Sequence, residues 1–153
     1  MDGLLAIAST ENLVYIKDFN PETNEFIEDT SLTVNSPSRC VSWSSLDQKL
    51  LATGLFNGNI IIFDLDTAKV KHVLYGSEFR IVCIQWHPQL EHFIAAASFD
   101  RTVHVYDLKQ KTRNVLTLHT DRVRSVHWNS EIPWLLLSGG DDSKQILWDI
   151  RLN

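Results

Sequence analysis

A repeat of about 43 residues constrains the fold of this chain more than any other sequence feature. Two kinds of residue mark it, and they have the same separations, 43 and then 42 residues: Trp43, Trp86 and Trp128, and Asp64, Asp107 and Asp149. A period of this length indicates supersecondary units that bury their apolar faces only by stacking on one another. The chain is therefore predicted to be an array of similar units.

Each repeat contains an apolar strand, a tight turn, and a second strand that ends in an aromatic residue and an aspartate. Residues 50–58, 93–101 and 135–143 align without a gap. Asn57-Gly58, Asp100 and Asp142 stand at the turns, where they suit left-handed or Asx conformations. The alternating patterns predict about fourteen short strands and an all-β fold. Residues 18–29, acidic and bearing Asn and Pro, are predicted to form the longest loop of a divergent first unit.

The third repeat is similar to a known family. It opens with Leu118-His119, continues through Ser138-Gly139-Gly140-Asp141-Asp142 and ends at Trp148-Asp149. In these residues the chain resembles the WD40-repeat β-propellers. The resemblance implies a partial β-propeller of about three and a half four-stranded antiparallel WD40 blades in one region, residues 1–153. Its units would be a divergent partial blade at 1–37, blades at 38–75 and 79–118, and a blade lacking its outer strand at 122–153.

The resemblance also implies a buried hydrogen-bond network in the third unit. Its members would be His119, Ser138, Asp142 and Trp148. The other two units each keep a single member, Asp100 and Thr53, and are predicted to depend more on apolar packing. A His, a Ser and an Asp also suggest a hydrolase triad, but this aspartate caps a turn and no glycine-rich elbow surrounds the serine. The network is therefore predicted to be structural, and the chain to be no enzyme.

The remaining Cys and His residues predict no metal site and no cofactor. Cys40, Cys83 and Ser125 each precede a repeat tryptophan by three residues, which predicts one small buried position on the innermost strands. Four histidines lack metal-ligand spacing and are predicted to lie in turns or on strand surfaces: His87, His92, His104 and His127.

Composition argues against some partners. The net charge of −5 and the pI near 5.6 make nucleic acid an unlikely partner, so RNA recognition stays a minor alternative. The sequence shows no signal peptide and no apolar run of membrane-spanning length. We expect a location in the cytoplasm, the nucleus or both.

Partner-binding candidates come from equivalent positions beside the turns and ahead of the inner strands. They are Phe56, Phe99, Asp141, Arg80 and Arg122. Aromatic residues and arginines dominate binding energy at interfaces. This set predicts a scaffold that binds other proteins or peptides; the alternative for the phenylalanines is packing between blades.

A second functional hypothesis depends on Arg151. Trp148-Asp149-Ile150-Arg151 is similar to the motif with which WD proteins that are substrate receptors of cullin-RING ubiquitin ligases contact the ligase adaptor. Most of this motif is the blade pattern itself, so only Arg151 adds information.

The number of predicted strands is too small for a closed ring, because propellers close with about four to eight blades. Three explanations stay open at this point: the chain is a fragment of a longer protein, another chain or copy completes the ring, or a partner covers an open array. The first is the preferred expectation.

Overall fold

The computed structural model describes residues 4–152, apart from the side chains of residues 27–29; residues 1–3 and 153 of the predicted single region lie outside the described residues. Within the described residues, fourteen strands form four antiparallel sheets. The prediction of an all-β, partial propeller is confirmed. Among the residues described, no helix is long and apolar enough to cross a bilayer.

The strands follow one another in chain order, and in each sheet sequential strands are neighbours. Sheet I contains β1 (Leu4–Ala8), β2 (Leu13–Asn20) and β3 (Glu25–Thr33). Sheet II contains β4 (Ser38–Trp43), β5 (Leu50–Leu55), β6 (Ile60–Asp64) and β7 (Lys69–Leu74). Sheet III contains β8 (Ile81–Trp86), β9 (Phe93–Ser98), β10 (Val103–Asp107) and β11 (Thr112–Leu116). Sheet IV contains β12 (Val123–Trp128), β13 (Leu135–Gly140) and β14 (Gln145–Asp149).

One expectation about sheet I is wrong. Residues 18–29 are not a long loop, because β2 and β3 form a hairpin joined only by residues 21–24. The side-chain Oδ1 of Asn20 accepts the Glu22 and Thr23 N–H groups at 2.9 and 3.4 Å. Asn24 adopts a left-handed φ of 57°, which asparagine tolerates better than most residues. The two strands are rich in polar residues, so their alternation is hard to see in the sequence.

The turns after β5, β9 and β13 share one construction. Asn57, Asp100 and Asp142 each accept, through the side-chain Oδ1, the N–H of the residue two positions on, at 3.2, 2.9 and 3.2 Å. The residues between are Gly58, Arg101 and Ser143, all with positive φ, at 84°, 73° and 60°. These Asx turns occur at the same position of each repeat and fix the backbone that carries the neighbouring side chains.

Three apolar clusters hold the four sheets together, each between two consecutive sheets. The repeat tryptophans contribute directed bonds to this stacking. The indole of Trp86 donates to Ser42 O at 3.0 Å, and that of Trp128 donates to Gln85 O at 3.2 Å. Each therefore reaches the inner strand of the preceding sheet, because its buried N–H must find an acceptor.

Candidate partner-binding surface

One backbone hydrogen bond, repeated in three sheets, places the residue just before each Asx turn beside the residue that precedes the inner strand. Phe56 N–H donates to Pro37 O at 3.0 Å, and Phe99 N–H donates to Arg80 O at 3.2 Å. Asp141 N–H donates to Arg122 O at 2.8 Å. Side chains at these positions therefore meet at one end of the sheets.

Phe99 lies at the centre of this arrangement. The guanidinium carbons of Arg80, Arg122 and Arg124 lie 4.2, 5.0 and 4.6 Å from the centroid of its ring. Arg80 also lies 5.3 Å from the Phe56 ring, so it bridges the aromatic residues of two sheets. Distances within about 6 Å of the ring centroid are those of cation–π contacts. Six residues form what we call the arginine–phenylalanine surface: Phe56, Arg80, Phe99, Arg122, Arg124 and Asp141.

The arginines of this surface differ in their anionic contacts. Arg124 makes a bidentate pair with Asp141, from Nε to Oδ1 at 2.7 Å and from Nη2 to Oδ2 at 2.7 Å. Hydrogen bonding to Arg124 lowers the pKa of Asp141 and raises that of the arginine. Neither Arg80 nor Arg122 forms an ion pair with a carboxylate in the described part of the chain. Among these residues, the guanidinium groups of Arg80 and Arg122 thus contact aromatic rings only, whereas that of Arg124 contacts both a ring and a carboxylate.

The structure brings together five of the six sequence-predicted partner residues, with Arg124 as an addition. Phe56 is 37% exposed, and neither it nor Phe99 belongs to the three apolar clusters between the sheets. Arg124 stands two residues after Arg122, on the same side of the sequence alternation, and that spacing is the signal that could have found it.

Arg151 lies apart from this surface. It hydrogen-bonds Asp149, with Nε 2.8 Å from Oδ1, and its guanidinium carbon is 4.4 Å from the Trp134 ring centroid. These bonds lower the pKa of Asp149 and raise that of Arg151. Trp134 precedes β13, whereas Asp141 follows it, so Arg151 and the arginine–phenylalanine surface lie at opposite ends of sheet IV.

A buried network in sheet IV fixes the turn that carries Asp141. His119 Nδ1 lies 3.0 Å from both Asp142 oxygens, His119 Nε2 lies 2.8 Å from Ser138 Oγ, and Trp148 Nε1 donates to that same hydroxyl at 2.7 Å. A neutral ring with its proton on Nδ1 satisfies every member, because Ser138 then donates to Nε2 and accepts from the indole.

Ionisation and burial fit a structural role for this network. Desolvation opposes the charge of Asp142, yet hydrogen bonds from the Thr120 backbone, His119 and the Lys144 backbone lower its pKa to about 2. Ser138 is 1% exposed, so its hydroxyl is out of reach of a substrate.

Sheet III, which was expected to depend more on apolar packing, has a polar network of its own. Ser77 Oγ lies 2.6 Å from Ser98 Oγ and donates to Asp100 Oδ2 at 2.8 Å. His104 Nε2 lies 3.1 Å from Asp100 Oδ2 and 2.9 Å from Thr102 Oγ1. The histidine is thus supplied by strand β10 instead of the preceding loop. In sheet II a Ser38–Thr53 hydroxyl pair, 2.6 Å apart, stands in the corresponding interior.

One of the histidine assignments is wrong. His104 is 1% exposed inside β10 instead of lying on the strand surface. His87 lies in the turn after β8, as predicted, but is also 1% exposed. His87 Nδ1 accepts the N–H groups of Gln89 and Leu90 at 3.0 and 2.9 Å, and its Nε2 lies 2.6 Å from Pro133 O in the next sheet. Desolvation by burial lowers the pKa of this imidazole. His87 therefore links sheets III and IV by hydrogen bonds as a neutral ring.

The predicted small buried position is only partly buried. Cys40 and Cys83 are free thiols of intermediate exposure, and Ser125 is exposed. Each follows a β-bulge of the inner strand, which turns the strand locally. Burial still raises the pKa of Cys40 to about 12. Among the described residues, no group of three or more His, Cys, Asp or Glu side chains is placed to hold a metal ion.

Comparison with family models links most of the chain to WD40 domains. The model of the anaphase-promoting complex subunit 4 WD40 domain matches residues 1–89. The model of the WD domain, G-beta repeat, matches residues 110–149.

Curated relatives and a solved structure agree with these matches. Protein transport protein SEC31 of Pyricularia oryzae is 31% identical over 151 residues, which cover 95% of this chain and 12% of that protein. WD repeat-containing protein slp1 of Schizosaccharomyces pombe is 29% identical over 113 residues, 72% of this chain and 22% of the relative. A chain in the crystal structure of the mitotic checkpoint complex matches 97% of this chain with a TM-score of 0.80 and 25% identity, over 44% of its own length. This chain thus spans less than half the length of each of these three proteins.

Proposed function

Because this chain belongs to the WD40-repeat family, we propose that it is a non-catalytic protein-binding module whose contact site is the arginine–phenylalanine surface. The proposed partner segment is a peptide that carries aspartate or glutamate. The proposed compartment is the cytoplasm or the nucleus, where free thiols such as Cys40 and Cys83 persist.

The observation that carries this proposal is the crowding of three guanidinium groups around the Phe99 ring. Only Arg124 is paired with a carboxylate, that of Asp141, whereas the guanidinium groups of Arg80 and Arg122 form no ion pair among the residues described. A guanidinium group binds a carboxylate through two parallel N–H···O bonds. An acidic side chain placed over Phe99 would therefore relieve the local excess of positive charge.

The aromatic rings support the same proposal. Phe56 and Phe99 hold Arg80 between them, so less side-chain entropy is lost when Arg80 engages a partner. Backbone hydrogen bonds to Pro37 and Arg80 fix the positions of the two phenylalanines. Rigid aromatic and arginine side chains that converge in this way are typical of binding hot spots.

Selection from a displayed library of random twelve-residue peptides tests this function. We expect peptides enriched on the protein to contain aspartate or glutamate. We also expect them to lose at least about tenfold in affinity on Arg80→Glu and Arg122→Glu, since each lost charge-assisted contact contributes roughly 1.5–3 kcal/mol. Fluorescence anisotropy with labelled peptides measures the affinities.

Lys69→Glu is the matched control, because it makes the same charge change at an exposed residue of β7, away from the arginine–phenylalanine surface. The enriched peptides should bind this variant as they bind the unchanged protein. Enriched peptides without acidic residues, or equal losses on Arg80→Glu and Lys69→Glu, would contradict the proposal.

The described structure gives no support to the second hypothesis, a substrate receptor of a cullin-RING ubiquitin ligase. Within the described residues Arg151 is engaged by Asp149 and stacked on Trp134, so it has local partners for both its charge and its flat face. No other observation of the described structure favours that function.

A further inference from the structure

A cleft between sheets II and III has a chemistry that the proposed protein-binding surface does not use. It has a volume of about 300 Å³ and opens between the outer strands β7 and β11. Its lining combines apolar side chains with basic ones, and includes His72, Leu74, Tyr106, Leu108, Lys111 and Arg113. Lys111 and Arg113 are exposed, so their charged ends meet solvent.

The most unusual group of this cleft is the Tyr106 hydroxyl. Tyr106 is 4% exposed, and its hydroxyl makes no hydrogen bond within the geometric limits to any described residue. A buried polar group without a partner costs stability and calls for an explanation. Burial raises the pKa of this phenol to about 12 against the opposing influence of Arg113, so the hydroxyl keeps its proton and stays a donor at neutral pH.

Comparison between the sheets shows why this hydroxyl has no acceptor. The repeat-equivalent residues are Phe63, which has no polar atom, and Trp148, whose indole is satisfied by Ser138. Sheet III has Ala96 where sheet IV has Ser138, so the hydroxyl partner that serves the Trp148 indole is missing from sheet III. The tyrosine thus brings a donor that the repeat does not satisfy.

Arg113 is seated beside this hydroxyl by a special feature of the backbone. Its Nη1 lies 3.5 Å from Tyr75 O, over Gly76, where a Cβ atom would stand only 1.5 Å from Nη1. Gly76 has a φ of 150°, which also disfavours a side chain there. Only glycine leaves room for the guanidinium at this place.

Further positive charge surrounds the same space. Lys111 lies in the β10–β11 turn, where it has a left-handed φ of 56°. Desolvation lowers the pKa of His72, and the positive charges of Lys71 and Lys111 lower it further. The one carboxylate of the lining, that of Asp107, is 6% exposed and accepts the N–H groups of Lys109 and Gln110 at 2.9 and 3.0 Å. It is thus directed toward its own turn.

We propose that this cleft binds a phosphate monoester group, held by the Tyr106 hydroxyl, the Arg113 guanidinium and the Lys111 ammonium group. A phosphate monoester has nearly two negative charges at neutral pH and three acceptor oxygens. It therefore matches two permanent cations and three separate donors, whereas a carboxylate offers two oxygens and one charge. The group enters the cleft either as part of a small molecule or as a phosphorylated side chain of a polypeptide.

Titration of the ¹⁵N-labelled protein with three probes tests this site by NMR. Inorganic phosphate, O-phosphoserine and glutamate are added separately at constant pH and ionic strength. We expect the two phosphate probes to shift the backbone signals of Gly76 and of residues 111–113, with glutamate at least about fivefold weaker. Tighter binding of O-phosphoserine than of phosphate would indicate the amino-acid source, and equal binding would indicate the free anion.

Tyr106→Phe is the decisive variant, because it removes only a hydroxyl that makes no hydrogen bond within the geometric limits to the described residues. It should keep the fold and weaken the phosphate probes about fivefold or more, and Arg113→Gln should weaken them about tenfold. Tyr15→Phe is the matched control, since it removes a phenolic hydroxyl from β2 of sheet I, outside the lining of the cleft, and it should bind as the unchanged protein does.

Failure of this site and failure of the proposed function are distinguishable. Arg80→Glu should leave the cleft titration unchanged if the two sites are independent. Signals that move only around Arg80, Phe99 and Arg122 would overturn the cleft assignment, and so would unchanged affinity in Tyr106→Phe. Equal binding of glutamate and phosphate would overturn the choice of ligand.

Discussion

Replacing Ser138 with alanine tests whether the buried network of sheet IV stabilises the fold. The hydroxyl accepts from Trp148 Nε1 at 2.7 Å and lies 2.8 Å from His119 Nε2. Ser138→Ala therefore leaves one buried donor and one buried acceptor without a partner. Each orphaned group costs about 1–3 kcal/mol, so we expect the free energy of unfolding to fall by at least about 2 kcal/mol.

Urea unfolding followed by tryptophan fluorescence measures this loss, and thermal unfolding should show a Tm lower by about 5–15 °C. Ser125→Ala is the matched control, because Ser125 is exposed on the neighbouring strand of the same sheet. We expect this control to stay within about 0.5 kcal/mol of the unchanged protein.

A double-mutant cycle with Trp148→Phe separates the hydrogen bond from the general loss of packing. Once phenylalanine has removed the indole N–H, deletion of the hydroxyl orphans only the histidine nitrogen. The second loss should therefore be smaller by about 1 kcal/mol. Strict additivity, or a Ser138→Ala effect no larger than that of Ser125→Ala, would refute the network argument.

Two further perturbations address the stacking of the sheets. Burial lowers the pKa of His87 in the folded protein, so the unfolded chain takes up a proton first as the pH falls. The free energy of unfolding should therefore decrease as the pH falls through about 6.5. His87→Gln should make this decrease less steep in urea titrations at several pH values, and an unchanged slope would assign the decrease to other groups. Gly58→Ala should lower the free energy of unfolding by more than about 1 kcal/mol, because its φ is 84° and a Cβ atom would lie 2.2 Å from Ser77 O. Gly139→Ala, whose added Cβ atom would lie 3.3 Å from Ser125 Oγ, should lose less stability. Thermal denaturation of both variants measures the two losses, and equal losses would contradict the steric reasoning.

The repeat pattern predicts the strands well because it is an average over three copies. The hairpin of sheet I has no repeated copy in the sequence that would reveal it. Lys17 contacts the Phe26 ring and Phe19 packs against Phe26, so contacts between the two strands stabilise the hairpin. Burial of His104 was equally hidden. His104 contacts Asp100 as His119 contacts Asp142, although the two histidines do not align in the repeat. Only the folded chain shows that these two different positions reach equivalent carboxylates.

The candidate surface was more predictable than its chemistry. Equivalent repeat positions identify Phe99 and Asp141 as neighbours of the turns, because the backbone repeats faithfully. Which arginine is neutralised depends on side-chain geometry, and the pairing of Arg124 with Asp141 leaves Arg80 and Arg122 available. The cleft at Tyr106 arises from the departure of sheet III from the family pattern, which an alignment reports only as a missing tryptophan.

The buried networks and the exposed surface are joined through the same turns. In sheets III and IV the residue just before the Asx turn, Phe99 or Asp141, belongs to the arginine–phenylalanine surface. The next residue, Asp100 or Asp142, is held by hydrogen bonds in the interior of the sheet. Different partners hold the two aspartates, yet the Asx geometry of both turns is the same. Precise placement of the exposed residue therefore requires an anchored aspartate and tolerates changes in what anchors it. This explains how the networks diverge between sheets while the arginine–phenylalanine surface stays continuous across them.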